Sequence, residues 1–83
     1  MSSQPSGLRF NREAAQSSIA ETIHEGLYFA DFFANQKIEP PVYHYIITRS
    51  GSNEILDWGQ GFSMDTIRAQ AEGWLAHSAE KIA

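Results

Sequence analysis

The spacing of apolar positions changes twice along the chain and divides it into three segments. In the first, Ala15, Ile19, Ile23 and Leu27 recur every four residues behind Asn11, a residue type suited to an N-cap, and this spacing predicts a helix. Gly26 costs such a helix about 1 kcal/mol relative to alanine, and it marks either a close helix contact or a break into a second short helix. The following run Leu27-Tyr28-Phe29-Ala30-Asp31-Phe32-Phe33-Ala34 holds a single charge and predicts helix that is apolar nearly all round. Glu39-Pro40-Pro41 then enforces an extended connector, because each proline disfavours helical geometry in the residue before it.

From Val42 the period becomes two. Val42–Arg49 and Glu54–Gln60 are rich in β-branched and aromatic residues and flank Ser50-Gly51-Ser52-Asn53, which predicts a β-hairpin. A two-residue Gly51-Ser52 loop of type II′ sets the register. It pairs Arg49 with Glu54, Ile47 with Leu56 and Tyr45 with Trp58 on one face, and Thr48 with Ile55, Ile46 with Asp57 and His44 with Gly59 on the other. The first face, with Tyr45, Ile47, Leu56 and Trp58, is the expected core side. In the third segment Ser63 is a natural N-cap, and Met64, Ile67, Ala71, Trp74, Leu75, Ser78 and Ile82 trace one stripe of an amphipathic helix. The reading is an α+β fold: a first helix, broken or continuous at Gly26, a β-hairpin and a C-terminal helix. Residues 10–83 form one domain behind a Ser-, Gln- and Pro-containing tail, residues 1–9, expected to be mobile.

A lone two-stranded hairpin is marginal in water and exposes hydrogen-bonding groups along both outer edges. The aromatic run adds more apolar surface than one small sheet face hides. Both imbalances are relieved if two chains associate, by edge pairing of hairpins or by packing aromatic helices about a two-fold axis. The interface candidates are therefore Tyr28, Phe29, Phe32 and Phe33, joined by Ile46 and Ile55 on the outer face of the hairpin.

Composition narrows the classes. The 83 residues carry a net charge of -4, three histidines and no cysteine. A disulfide framework, a thiolate nucleophile and a cysteine-ligated zinc site are excluded. The six Lys and Arg residues are scattered, which opposes a nucleic-acid binder, since such proteins carry a clustered basic face. His24, His44 and His77 share no ligand spacing, so no metal and no cofactor are expected. With no secretory signal pattern and no apolar run of spanning length, the chain reads as cytoplasmic and without a membrane partner.

One chemical pair stands out: the predicted register puts His44 and Asp57 diagonally on one face, where a carboxylate orients an imidazole as in acid–base sites. No nucleophile or phosphate-cradling loop accompanies them. The leading expectation is a non-enzymatic interaction or assembly module that binds itself, another protein or both. The alternatives are a small acidic inhibitor or regulator docking on a basic surface, and a ligand-binding or catalytic domain using His44 and Asp57.

Overall fold

A computed structural model describes the backbone of residues 9–82 and the side chains through Ser78. Four strands, β1 (Glu21–Glu25), β2 (Tyr28–Asn35), β3 (Val42–Arg49) and β4 (Ile55–Gly61), form an antiparallel sheet in sequential order, and one helix, α1 (Met64–Ile82), follows. The fold is α+β, with the hairpin and the C-terminal helix where the sequence predicts them. The tail expected over residues 1–9 lies outside the described residues except for Arg9, which forms an isolated antiparallel bridge with Glu54.

The first helix is not formed. Residues 11–19 make turns and a short 3-10 segment (Gln16–Ser18), and the chain then enters β1. A spacing of four is a multiple of two, so Ile19, Ile23 and Leu27 suit a strand as well as a helix, and β-branched Thr22 and Ile23 favour the strand. Gly26 is the first residue of a two-residue hairpin loop between paired Glu25 and Tyr28, and its φ of 62° is the left-handed geometry that this loop position requires. The expected aromatic helix is likewise a strand, β2. As an inner strand it is paired with both β1 and β3, and side chains pack on both of its faces, so its pattern reads as a continuous apolar run rather than an alternation.

One face of the sheet packs on the helix. Ala30, Phe32, Tyr45 and Ile47 meet Ile67, Ala71 and Leu75 of α1, with Ile23, Tyr28, Tyr43, Met64 and Trp74 around the margin. Complete burial of side chains such as Ile67 and Leu75 is worth about 1.5–3 kcal/mol each. Tyr28 and Trp74 meet edge to face at 5.2 Å. Arg68 ties the helix to β1 through Glu21.

The β3–β4 hairpin departs from the predicted Gly51-Ser52 type II′ turn and from the predicted register. The turn is centred on Ser50-Gly51, closed by Ser52 N–H donating to the Arg49 carbonyl (2.9 Å), with Gly51 at φ 84° as a type II turn requires. Thr48 pairs with Ile55 as predicted, but an irregularity follows and Ile47 then pairs with Asp57, Ile46 with Trp58, Tyr45 with Gly59 and His44 with Gln60. From Asp57 onward every residue of β4 is therefore on the face opposite to expectation. Tyr45 and Ile47 are in the core as expected. Trp58 is instead 55 % exposed and Leu56 37 %.

The cause is visible at Gly59. A Cβ there would stand 2.7 Å from Cε2 of Tyr45, so the tyrosine ring occupies the side-chain space that glycine leaves free. Its hydroxyl continues to Asp57, donating to Oδ2 at 2.9 Å. Burial, with the hydrogen bond to Asp57 and its negative charge, pushes the Tyr45 phenol up to about 12.

Gly59→Ala is expected to destabilise the domain by about 1–3 kcal/mol through overpacking against Tyr45. Gly73→Ala, in the helix with nothing within 4 Å of its would-be Cβ, is expected to stabilise by about 0.5–1 kcal/mol. Urea unfolding of both variants checks the pair. The raised Tyr45 value has a second consequence. Above pH 10 the unfolded phenol ionises while the folded one keeps its proton until about 12, so stability falls through this window as pH rises. Tyr45→Phe is expected to flatten that fall in denaturation curves measured between pH 9 and 12.

Candidate functional site

The sheet face opposite the helix carries Thr22 and His24 of β1, Phe29, Asp31 and Phe33 of β2, His44, Ile46 and Thr48 of β3, and Ile55, Trp58 and Gln60 of β4. Two regions of it differ in how they are covered.

Over β1 and β2 lies the segment preceding β1, residues 9–20, which crosses the sheet as a strap. It begins beside β4, where Phe10 N–H donates to the Asn53 carbonyl at 2.6 Å, and ends where Ala20 N–H donates to the Phe32 carbonyl at 2.8 Å. Phe10 meets Phe33 edge to face at 5.7 Å. Arg12 places its guanidinium carbon 4.3 Å from the Phe29 ring centre and donates through Nε to Asp31 Oδ1 at 2.9 Å. Thr22 hydroxyl donates to the same oxygen at 2.7 Å. Asp31 is completely buried, and its Oδ2 has no partner. Beyond Arg12, Asn11 Oδ1 accepts from Ala14 N–H at 3.1 Å, which holds the strap in a compact turn of its own.

Each phenylalanine of this face is also stacked by a histidine from the neighbouring strand. The His24 and Phe29 rings lie 4.3 Å apart at 18°, and the His44 and Phe33 rings 4.7 Å apart at 7°. Burial lowers the His44 imidazole from its ordinary 6.5.

Thr48 of β3 is buried, but over β4 and the His44–Ile46 part of β3 the face is open. His44, Ile46, Ile55, Trp58 and Gln60 line a shallow, mainly apolar groove of about 250 Å³. Trp58 stands at the edge of the sheet, since β4 is the last strand in the order. Phe62, just past the strand end, is 70 % exposed.

These positions sort the sequence candidates. Ile46 and Ile55 are together, half-buried, in the open groove. Tyr28 packs on Trp74, Phe32 is wholly buried under the helix, and Phe29 and Phe33 lie beneath the strap. His44 and Asp57 do not form a pair: His44 lies on the open face, and Asp57 faces the helix and accepts from Tyr45. The one-residue shift in β4 separates them. Sequence reasoning missed Trp58, placed in the core by the wrong register, and Arg12 and Asp31, which stand nineteen residues apart with no local pattern joining them. A lone carboxylate at the centre of the apolar run 27–34 was the available signal, since a buried acid requires a cation.

Among the described residues no helix is long and apolar enough to cross a membrane, and no group of three acidic or histidine side chains is placed to hold a metal ion. No family model, curated protein or solved structure matches the chain.

The lowered His44 value predicts a pH dependence with a definite sign. The unfolded imidazole takes up its proton near 6.5 and the folded one only below that, so the His44 contribution is fully present above pH 6.5 and is lost as pH falls through the folded value. A proton NMR titration is expected to show His44 titrating below 6.5, and Phe33→Ala, which opens its surroundings to water, to move it back towards 6.5.

Proposed function

We propose that the chain is a protein-interaction module that assembles with a second copy of itself through β4, its edge and the adjoining groove forming the contact. The observation that carries this reading is the state of that edge. Among the described residues β4 is paired on one side only, apart from the Arg9–Glu54 bridge just before it, and it leaves Leu56 and Trp58 exposed beside Ile46 and Ile55. An unpaired strand edge with apolar side chains is a template for another strand.

The two edges of the sheet differ in a way that favours β4. The opposite edge, β1, is five residues long and includes Glu21 and Glu25, charges that discourage strand addition. The seven residues of β4 include one carboxylate, Asp57, which is turned to the helix side and bonded by Tyr45. In a chain of net charge -4 this is a surface without charge of its own. A basic partner finds no carboxylates there to pair with, and a second β4 meets no repulsion. Antiparallel pairing about a two-fold axis also brings the two Trp58 side chains to one face, where they deepen the grooves and bury the largest exposed ring of the strand.

Light scattering at tens of micromolar is expected to give twice the chain mass of 9.3 kDa. Trp58→Glu, at a position already open to solvent, is expected to keep the circular dichroism spectrum of the native chain and to return the mass to that of one chain. A native mass of 9.3 kDa throughout this range would remove the proposal.

A further inference from the structure

The strap holds the sheet in an unusual manner. Its backbone joins the sheet only at its two ends, at Asn53 with the adjoining Glu54 bridge, and at Phe32. Between those points it is held by two side chains spaced two residues apart, Phe10 against Phe33, and Arg12 between the Phe29 ring and the Asp31 carboxylate. The backbone from Asn11 to Ser18 closes on itself in turns. This is how a short peptide ligand is held, by an aromatic anchor and a charged anchor on a preformed surface, and not how a strand of the same sheet is held.

We propose that the cradle formed by Phe33, Phe29, Thr22 and Asp31 is a peptide-acceptor site for segments bearing an aromatic side chain two residues before an arginine, and that the chain's own strap is its resident pseudo-ligand. Charge complementarity selects the occupant. Asp31 is completely buried, and its compensating charge comes from the strap and not from the sheet. An occupant without a cation at this point would strand the carboxylate, and a lysine would supply a point charge where Arg12 presents a planar fork to both the ring and the acid. The carboxylate is also underused. Oδ1 accepts both from Arg12 and from Thr22 while Oδ2 accepts nothing. A guanidinium delivered by an untethered peptide engages both oxygens in the bidentate geometry that the strap leaves incomplete. Its aromatic residue takes the place of Phe10 on the edge of Phe33. A partner of this chemistry competes with the strap, so the site is open only to ligands that displace it. This site lies over β1 and β2 and does not depend on assembly through β4.

The test uses the full chain carrying Phe10→Ala and Arg12→Ala together, and a fluorescent peptide with the sequence of residues 9–18 as the probe. With both anchors removed the strap leaves the cradle and water reaches Asp31. Circular dichroism is expected to show the sheet and helix retained, and fluorescence anisotropy to show the peptide binding this variant at least about tenfold more tightly than the native chain, whose cradle is filled. A peptide with Arg12→Gln, or a protein further changed by Asp31→Asn, is expected to lose about tenfold or more in affinity. Equal affinity for native and variant chains, indifference to either of these last changes, or no binding to the variant at millimolar peptide would overturn the proposal. Unfolding of the double variant would overturn it as well, because a strap the fold cannot do without is not a displaceable occupant.

Discussion

Where the Tyr45 ring goes decides what each face of the β3–β4 hairpin presents. The ring fills the space above Gly59, and any side chain at that position would meet it at 2.7 Å, so tyrosine and glycine must be cross-strand partners on the helix side. Once they are, period-two alternation leaves no freedom: Asp57 shares that side and accepts the phenol hydrogen bond, and Trp58 and Gln60 take the other. A tyrosine hydroxyl entering a core needs a partner, and the same register that brings glycine under the ring supplies one. The contact that completes the core is also what turns the tryptophan outward.

A register that differs by one residue reverses a whole strand, and this explains both what the sequence disclosed and what it did not. The hairpin, the helix stripe and the α+β class follow from strong periodicities, and Tyr45 and Ile47 are core residues in either register. Hydrophobicity and the size match with Tyr45 both argue for a buried Trp58, whereas the competing Tyr45–Gly59 fit depends on shape that periodicity does not carry. The first half of the chain failed for a different reason. Apolar spacing of four satisfies both a helix and a strand, and β2, paired on both sides and packed on both faces, loses the alternation that would have separated them. Glycine at position 26 then weighed as a helix defect, although a hairpin loop with positive φ uses it better.

The two-sided burial of β2 also accounts for Asp31. Residues alternate along it between the helix side, with Tyr28, Ala30 and Phe32, and the other side, with Phe29, Asp31 and Phe33. The second set would leave two phenylalanines facing water if nothing lay over them. The strap solves that problem, and Asp31 makes the solution specific: a purely apolar face accepts any apolar segment, whereas a buried carboxylate accepts one that brings a cation to that point. The histidines stacked on Phe29 and Phe33 extend the aromatic surface sideways.

The two proposals assign one sheet face two modes of contact with opposite requirements. Over β4 and the adjoining part of β3 the surface is apolar and, among the described residues, without charge and ending in an unpaired edge, conditions under which shape and strand pairing select a partner. Over β1 and β2 the surface is closed by an arginine on a buried acid, where charge and a fixed spacing do the selecting. The join between them is the stretch Arg9–Phe10, which bridges Glu54 at the start of β4 and at the same time sets its ring on Phe33. Any displacement of the strap therefore removes a contact from the base of the edge strand. Strand pairing is sensitive to such local freedom, because an edge that is less constrained pays more conformational entropy to be ordered by a neighbour. On the two proposals, the Arg9–Glu54 bridge is where the two halves of the face meet.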